Sequence, residues 1–171
     1  YHYQKYNNIY NLFNYLIKTD TDIKKKLCLY PIDYSMISID EKVDNHIQTY
    51  IYNPYNLVVK IKQCKKRFIP VIINILQESI SHSTIMLIDK EEKQIEYFDP
   101  EYKKMSNVVP QKLNLFQRKY FKGYKLIVIT DLTPHVFQDK IDAYSGLCIT
   151  WCILYVHFRL INADIDFKKV L

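Results

Sequence analysis

The chain has 171 residues with 49% hydrophobic side chains, which predicts a single domain, residues 1–171, with a sizeable core. Near the C-terminal end, residues 143–158 lack Asp, Glu, Lys and Arg. They fall short of the roughly 20 apolar residues that cross a bilayer, so we expect a soluble protein with no membrane span. The net charge of +6 fits nucleic acid or acidic partners, but the basic residues are scattered, and an ordinary solvated basic surface is the simpler explanation.

Four cysteines are present, at positions 28, 64, 148 and 152. The first residues carry no apolar secretory core, and the chain starts with Tyr1 rather than Met, as in a product trimmed from a longer one. Without a secretory signal, a disulfide framework is not expected in a chain of this size. We therefore predict reduced thiols and an intracellular location.

The N-terminal part, residues 1–66, is predicted to be helical or irregular. Apolar side chains recur at helical spacing over 5–18, which indicates an amphipathic helix. The later pattern favours a helix around 40–50, followed by an extended or helical segment over 55–63. The two alternatives for that last segment stay open.

The part that follows, residues 67–164, is predicted to be the core. The β-branched run RFIPVIINIL opens it as a buried strand. The elements predicted along it are strands over 68–76, 82–88 and 94–98, a helix over 107–121, a strand over 124–130, a polar loop with His135 and Gln138, and a helix over 148–161. Together they predict an α+β fold, in which a central mixed sheet of about 4–5 strands packs against flanking helices and a buried helix that begins with a cysteine.

The segment HSTIMLIDKEEKQIEYFDP indicates a β-hairpin, because apolar runs flank a charged, turn-like DKEEK. A loop of about four residues, 89–92, would pair Met86 with Ile95 and place His82 opposite Asp99. Directly opposed residues point to the same face of a sheet, with Cβ atoms roughly 5 Å apart. We therefore expect the imidazole and the carboxylate to meet at the open end of the hairpin.

A nucleophile for such a pair is Cys148, which follows Gly146 where the chain turns into the last predicted helix. Free amides and the helix dipole at an N-terminus stabilise a thiolate. His82 would act as its base, and Asp99 would hold the imidazole tautomer. The alternative is that Cys148 is simply a core cysteine, as Cys152 one turn further on is expected to be.

Other residues compete for these roles. His157 lies nine residues beyond Cys148 on the same predicted helix, about 13 Å along its axis, and so cannot serve that cysteine. An oxyanion hole would combine the Cys148 amide with the side-chain amide of Gln138. Neither a metal site nor a cofactor is expected, because Cys148, Cys152 and His157 do not converge and no CxxC occurs.

The segments RFIPVIINI, SHSTIMLID, IEYFDP, HVFQD and GLCITWCILYVHFRLINAD follow one another in this order. They resemble the adenain and SUMO-protease superfamily of cysteine proteases, and more closely its large-DNA-virus branch. Cellular members usually have Trp after the histidine and Asp-Cys-Gly at the nucleophile, whereas this chain has Ser83 and Leu147-Cys148-Ile149. Gln138 lies ten residues before the cysteine, a longer interval than is usual in the family.

This resemblance implies a papain-like fold of the adenain type and a thiol protease whose triad is His82, Asp99 and Cys148. It also implies supporting roles around the site for Gln138, Trp151 and Gly146, while the position of His135 in the polar loop makes it a candidate for a second cleft residue. The substrates would be viral precursor proteins or conjugates of ubiquitin-like modifiers, cut at small-residue junctions. The expected place of action is a virion or the cytoplasm of an infected host cell.

A second hypothesis comes from a different functional class. The chain would keep the fold without turnover and act as a binding module for a ubiquitin-like protein, another protein or nucleic acid. The presence of every triad residue favours the enzyme. Salt-sensitive DNA binding without thiol reactivity would favour the module.

Overall fold

The computed structural model describes most of the chain. The described residues are 11–29 apart from residue 12, and 36–41, 54–77, 80–100, 108–129 and 148–165.

The described strands form a single mixed sheet. They are β1 (Met36–Glu41), β2 (Phe68–Gln77), β3 (Ile80–Asp89), β4 (Gln94–Phe98) and β5 (Lys125–Ile129). Their order across the sheet is β1-β2-β3-β4-β5. The central strand β3 pairs antiparallel with both β2 and β4, whereas β1 runs parallel to β2 and β5 runs parallel to β4.

Helices flank this sheet. They are α1 (residues 13–19), α2 (Thr21–Lys26), α3 (Pro54–Gln63), α4 (Val108–Tyr120) and α5 (Cys148–Ile161). Parallel neighbours need a crossover connection, and α3 and α4 lie in the two crossovers of this sheet. The predicted α+β class with a mixed sheet is therefore confirmed.

The two faces of the sheet bury different helices, because side chains alternate along each strand. One face, here called the α3–α4 face, packs the odd-numbered residues of β2 with α3 and α4; its core includes Leu57, Ile61, Ile69, Val71, Ile73, Met86, Ile88, Tyr97, Leu113 and Phe116. The opposite face, the α5 face, packs α5 together with α1 and α2; its core includes Phe13, Ile23, Leu27, Phe68, Ile85, Leu87, Phe98, Cys152 and Val156.

Most predicted elements of the core are confirmed to within a few residues, and the helical alternative for 55–63 is confirmed by α3. The helix predicted around 40–50 is wrong at its start, because Asp40 and Glu41 belong to β1 and extend its parallel ladder on β2. Residues 42–50 lie outside the described part of the chain. No described helix is both long and apolar enough to span a bilayer.

The prediction of reduced thiols is wrong for two of the four cysteines. Cys28 and Cys64 form a disulfide that links residues 36 apart in sequence. Both are largely buried, and Cys28 lies beside β2, because its amide donates to the carbonyl of Phe68. This pairing depends on the tertiary packing of α3 against β2, which the spacing of the cysteines does not reveal.

Candidate active site

The hairpin of β3 and β4 forms as predicted, but its register differs by two residues. Met86 pairs with Tyr97 rather than with Ile95, and the loop is 90–93 rather than 89–92. A shift of two keeps every side chain on its predicted face, since strand side chains alternate with a period of two. The last pair is Asp89 with Gln94, so Asp89 ends the strand instead of opening the turn.

The register is explained by the burial of Asp89, which is 0% exposed. Its carboxylate accepts hydrogen bonds from Arg67 Nε and Nη2 at 3.0 to 3.2 Å. It also accepts from the amides of Glu91 and Glu92 at 3.1 and 3.2 Å, which fixes the start of the turn. The turn ends at Lys93, which has a positive φ of 51°.

His82 and Asp99 meet in the buried interior. His82 Nε2 lies 2.7 Å from Asp99 Oδ1, and the two residues are only 7% and 3% exposed. The predicted contact is confirmed, but as a diagonal contact across the hairpin. In the observed register the position opposite Asp99 is that of Thr84, and His82 lies two residues further along β3. Diagonal neighbours are within reach of a side chain as long as histidine.

Tyr97 belongs to the same polar group. Its hydroxyl lies 3.5 Å from Asp99 Oδ2, whereas His82 Nε2 contacts Asp99 Oδ1. Burial raises the pKa of Tyr97 far above its ordinary value, and the negative charge of Asp99 raises it further. Tyr97 therefore remains a neutral hydroxyl that can donate to the carboxylate.

α5 runs alongside β3 in the same direction. Near its start, the Cys152 thiol donates to the carbonyl of Ser83 at 3.5 Å, and near its end, Arg159 contacts Glu96, which pairs with Leu87 of β3. Cys148 lies one helical turn before Cys152, about 6 Å along the axis of α5. This distance equals roughly two residues of a strand. This places Cys148 level with the beginning of β3, at the end of the sheet that holds His82 and Asp99.

Cys148 is the first residue of α5 and is 4% exposed. Neither Cys148 nor Cys152 is in a disulfide. Burial raises the pKa of the Cys152 thiol well above its ordinary value, and the charges of Cys148 and Asp99 add to this. Cys152 is therefore a neutral, buried thiol, as predicted, and the N-terminal position singles out Cys148 as the nucleophile candidate.

The histidine and the cysteine reach this end of the sheet from different faces. His82 pairs with Ile75 in the β2–β3 ladder and so shares the α3–α4 face, whereas Cys148 belongs to the core of the α5 face. Asp99 lies one residue beyond the end of β4. A thiol and an imidazole placed in this way would have to meet around the ends of the strands.

The remaining predicted site residues are placed as follows. Trp151 is half-buried and packs against the core of the α5 face, in the first turn of the helix. Gln138, His135 and Gly146 lie outside the described residues, so their predicted roles stay predictions. Within the described ranges, no cluster of His, Cys, Asp and Glu side chains could hold a metal ion.

A second buried polar cluster occupies the other end of α5. Arg159 contacts both carboxylate oxygens of Glu96 at 2.7 to 3.1 Å, and Tyr155 donates to the same carboxylate at 2.6 Å. Burial alone would lower the pKa of Arg159, but its hydrogen bond and charge interaction with Glu96 raise it. A cavity of about 280 Å³ lies beside this cluster and is also lined by Arg67 and Asp164.

The parts of Tyr97 and of the Tyr155 and Arg159 pair in these clusters were not predicted, although the sequence carries a signal for each. Tyr97 and Asp99 are two residues apart, so an extended chain places both on one face. Tyr155 and Arg159 are four residues apart on a helix and therefore lie on one side of it. In both cases a polar residue within an apolar run was the sign of a buried partner.

No protein-family model and no curated protein matches the sequence. Among solved structures, the chain is similar to the Chlamydia trachomatis effector protein Cdu1 bound to ubiquitin, with 14% identity over 68% of this chain and 58% of that one, and a TM-score of 0.46. It is also similar to two structures of ChlaDub1 from Chlamydia trachomatis, with 15% identity and TM-scores of 0.46. The matches cover 66% and 67% of this chain and 56% and 52% of those chains, so it spans little more than half of their length. Similarity at this level does not define a common family.

Proposed function

We propose that the chain is a cysteine-type peptidase with His82, Asp99 and Cys148 as its catalytic triad. The observation that carries this proposal is the 2.7 Å contact between His82 Nε2 and Asp99 Oδ1. A buried carboxylate on one ring nitrogen orients the imidazole and stabilises its protonated form. The other ring nitrogen, Nδ1, is then the atom that takes the thiol proton.

The reaction follows from these groups. His82 Nδ1 takes the proton from the Cys148 thiol, and the thiolate attacks the scissile carbonyl carbon, forming an S–C bond and an oxyanion. The Cys148 amide and the side chain of Gln138, whose part in the oxyanion hole is still a prediction, stabilise that oxyanion. Its collapse breaks the C–N bond, and His82 gives its proton to the leaving amine. Water then attacks the thioester with His82 as base, which releases the acid and restores the thiol.

The substrate that we favour is a conjugate or precursor of a ubiquitin-like modifier, cut after a small-residue C-terminal tail. The alternative substrate is a viral structural precursor cut at a similar junction. Both follow from the resemblance in the IEYFDP and GLCITW segments. Both require a narrow approach to the thiol, which the burial of Cys148 is consistent with.

The test uses ubiquitin and SUMO that carry a thiol-reactive electrophile at the C-terminus, together with peptides from viral precursor junctions that carry the same group. The wild-type protein should form a covalent adduct with one class, and Cys148→Ala should form none. Cys152→Ala is the matched control, because it removes a neighbouring buried thiol and should still be labelled. Labelling that survives Cys148→Ala would contradict the nucleophile assignment.

The catalytically silent binding module remains the alternative, and one observation favours it. Cys148 is buried on the α5 face, whereas His82 projects from the α3–α4 face. A module would show no reaction of Cys148 with iodoacetamide at neutral pH, yet would bind a ubiquitin-like protein or DNA reversibly. Rapid alkylation of Cys148 that is lost in His82→Ala would exclude the module.

A further inference from the structure

A second cavity lies at the opposite end of the sheet from His82. Its volume is about 500 Å³, within the range of small-molecule sites. It lies where α3 and α4 end, next to the β3–β4 loop. Its polar lining consists of Lys62, Lys90, Lys119, Lys122, Tyr120 and Tyr124, and no Asp or Glu is among the described residues that line it.

One of these lysines has a structural role. Lys90 Nζ donates to the carbonyls of Ile61 and Lys62 at 3.5 and 3.4 Å and also to that of Cys64. It thereby satisfies carbonyl groups at the C-terminal end of α3. Lys90 belongs to the frame of the cavity rather than to a ligand site.

A different residue holds the turn that follows α4. Gln117 Nε2 donates to the carbonyls of Phe121 and Tyr124 at 3.1 and 2.8 Å. Lys90 and Gln117 therefore hold the backbone around the cavity.

Lys62, Lys119 and Lys122 are exposed at the rim of the cavity. No described carboxylate forms an ion pair with any of the three. Lys119 Nζ lies 5.0 Å from the centre of the Tyr120 ring, and the ring of Tyr124 packs edge-on against Phe121. Three ammonium groups, none of them paired with a carboxylate of the described residues, thus surround a concave surface with aromatic walls.

We infer that this cavity binds a small ligand that carries several phosphates, with Lys62, Lys119 and Lys122 as its anion contacts. Ammonium groups are common phosphate binders, and the clustering of three favours a polyphosphate over a single carboxylate. The aromatic walls can also take a nucleoside base. His82 lies seven residues from Asp89 along β3, or about 23 Å, so the ligand would not touch the proposed catalytic residues.

Isothermal titration calorimetry with magnesium-free ATP and with inorganic tripolyphosphate tests this site. At least one of the two should bind the wild-type protein, and binding should weaken by about tenfold or more in Lys62→Gln/Lys119→Gln/Lys122→Gln. The matched control is Lys18→Gln/Lys24→Gln/Lys25→Gln, which removes the same charge from exposed lysines of α1 and α2 and should bind within about twofold of wild type. Thermal unfolding of both variants shows whether they are folded.

ATP and tripolyphosphate distinguish a nucleotide ligand from a ligand that is recognised by its phosphates alone. Tighter binding of ATP would show that the base contacts the tyrosines, and equal binding would show that the phosphates suffice; both results support the site. Absence of binding by either probe at millimolar concentration would overturn the inference, as would equal weakening in the two triple variants. The proposed peptidase activity is independent of these results, since no residue of the triad is altered.

Discussion

The two buried polar clusters on the β3–β4 hairpin differ in the kind of side chain that contacts each carboxylate. At one end, both oxygens of the Glu96 carboxylate accept hydrogen bonds from Arg159, and Tyr155 adds another. At the other end, the Asp99 carboxylate lies 2.7 Å from the ring of His82, and histidine is a side chain that can hold or release a proton near neutral pH. A saturated ion pair stabilises one arrangement, whereas a histidine with a carboxylate can move a proton.

Burial of a carboxylate does not by itself identify a functional site. Glu96 and Asp99 are 2% and 3% exposed, so both are equally removed from water. They differ in their partners, since the guanidinium of Arg159 stays charged at all accessible pH values and an imidazole does not. The functional assignment therefore depends on the partner and on the proximity of the cysteine helix.

The largest expected effect is on catalysis at the His82 end. His82→Ala removes the proposed base, and we expect kcat/KM to fall by at least about 10⁴-fold, because members of a triad act as one unit. The measurement is hydrolysis of the substrate class that reacts with wild type. Thermal unfolding is the control for folding, and a variant that is folded and retains more than about a tenth of the activity would show that His82 is not the base.

A smaller loss is expected when the carboxylate is replaced by its isosteric amide. Asp99→Asn can still orient the ring but no longer stabilises its protonated form, so we expect kcat/KM to fall by about 10²- to 10⁴-fold. Asp89→Asn is the comparison at the other end of the hairpin and should leave the activity of the folded protein nearly unchanged. Equal losses of activity in the two variants would contradict a special role for Asp99.

At the Arg159 end we expect substitutions to lower stability and to change activity little. Arg159→Met leaves Glu96 buried without its guanidinium, and we expect the free energy of unfolding to drop by about 3–5 kcal/mol. Urea denaturation measures this, and activity per folded molecule should stay within about tenfold of wild type. Glu96→Leu/Arg159→Met removes both charges and should recover much of the lost stability. A double variant as unstable as the single one would show that the hydrogen bonds, rather than an unpaired charge, account for the loss.

The sequence predicts the elements around the site better than the contacts between them. α5 and β4 were predicted with their observed bounds, because an uninterrupted apolar run and the two sides of a charged turn are local signals. The hairpin register was wrong by two residues, because Asp89 resembles a turn residue and its partner Arg67 lies 22 residues away. The His82–Asp99 contact survived this error, because a shift of two preserves the face.

Features that depend on distant segments were not predictable in this way. β1 has only six residues and pairs at the edge of the sheet, where its parallel partner lies about 36 residues further along the chain. The Cys28–Cys64 disulfide likewise requires α3 to pack beside β2. Glu96 and Arg159 form their contact across 63 residues of sequence. Neither the segment around Glu96 nor the segment around Arg159 indicates the other residue as its partner.

The smallest expected effect concerns the pH dependence of stability through Tyr97. Its pKa in the folded protein is raised above its ordinary value, first by burial and then by the charge of Asp99. Below about pH 10 both the folded and the unfolded state hold the proton, and this contribution is fully present. Above about pH 10 the unfolded state releases its proton while the folded state keeps it, so the free energy of unfolding falls as pH rises.

Tyr97→Phe removes this group, so its unfolding free energy should fall less steeply between about pH 10 and pH 11 than that of wild type, by up to about 1.4 kcal/mol. Urea denaturation at pH 8, 10 and 11 measures the two slopes. Tyr15→Phe is the matched control, because Tyr15 is 63% exposed and its removal should leave the slope unchanged. The raised pKa values of Tyr155 and Cys152 act in the same direction and leave a residual slope in the variant. Identical slopes for Tyr97→Phe and wild type would mean that Tyr97 ionises in the folded protein as readily as in water, and that the polar group around Asp99 is open to solvent rather than buried.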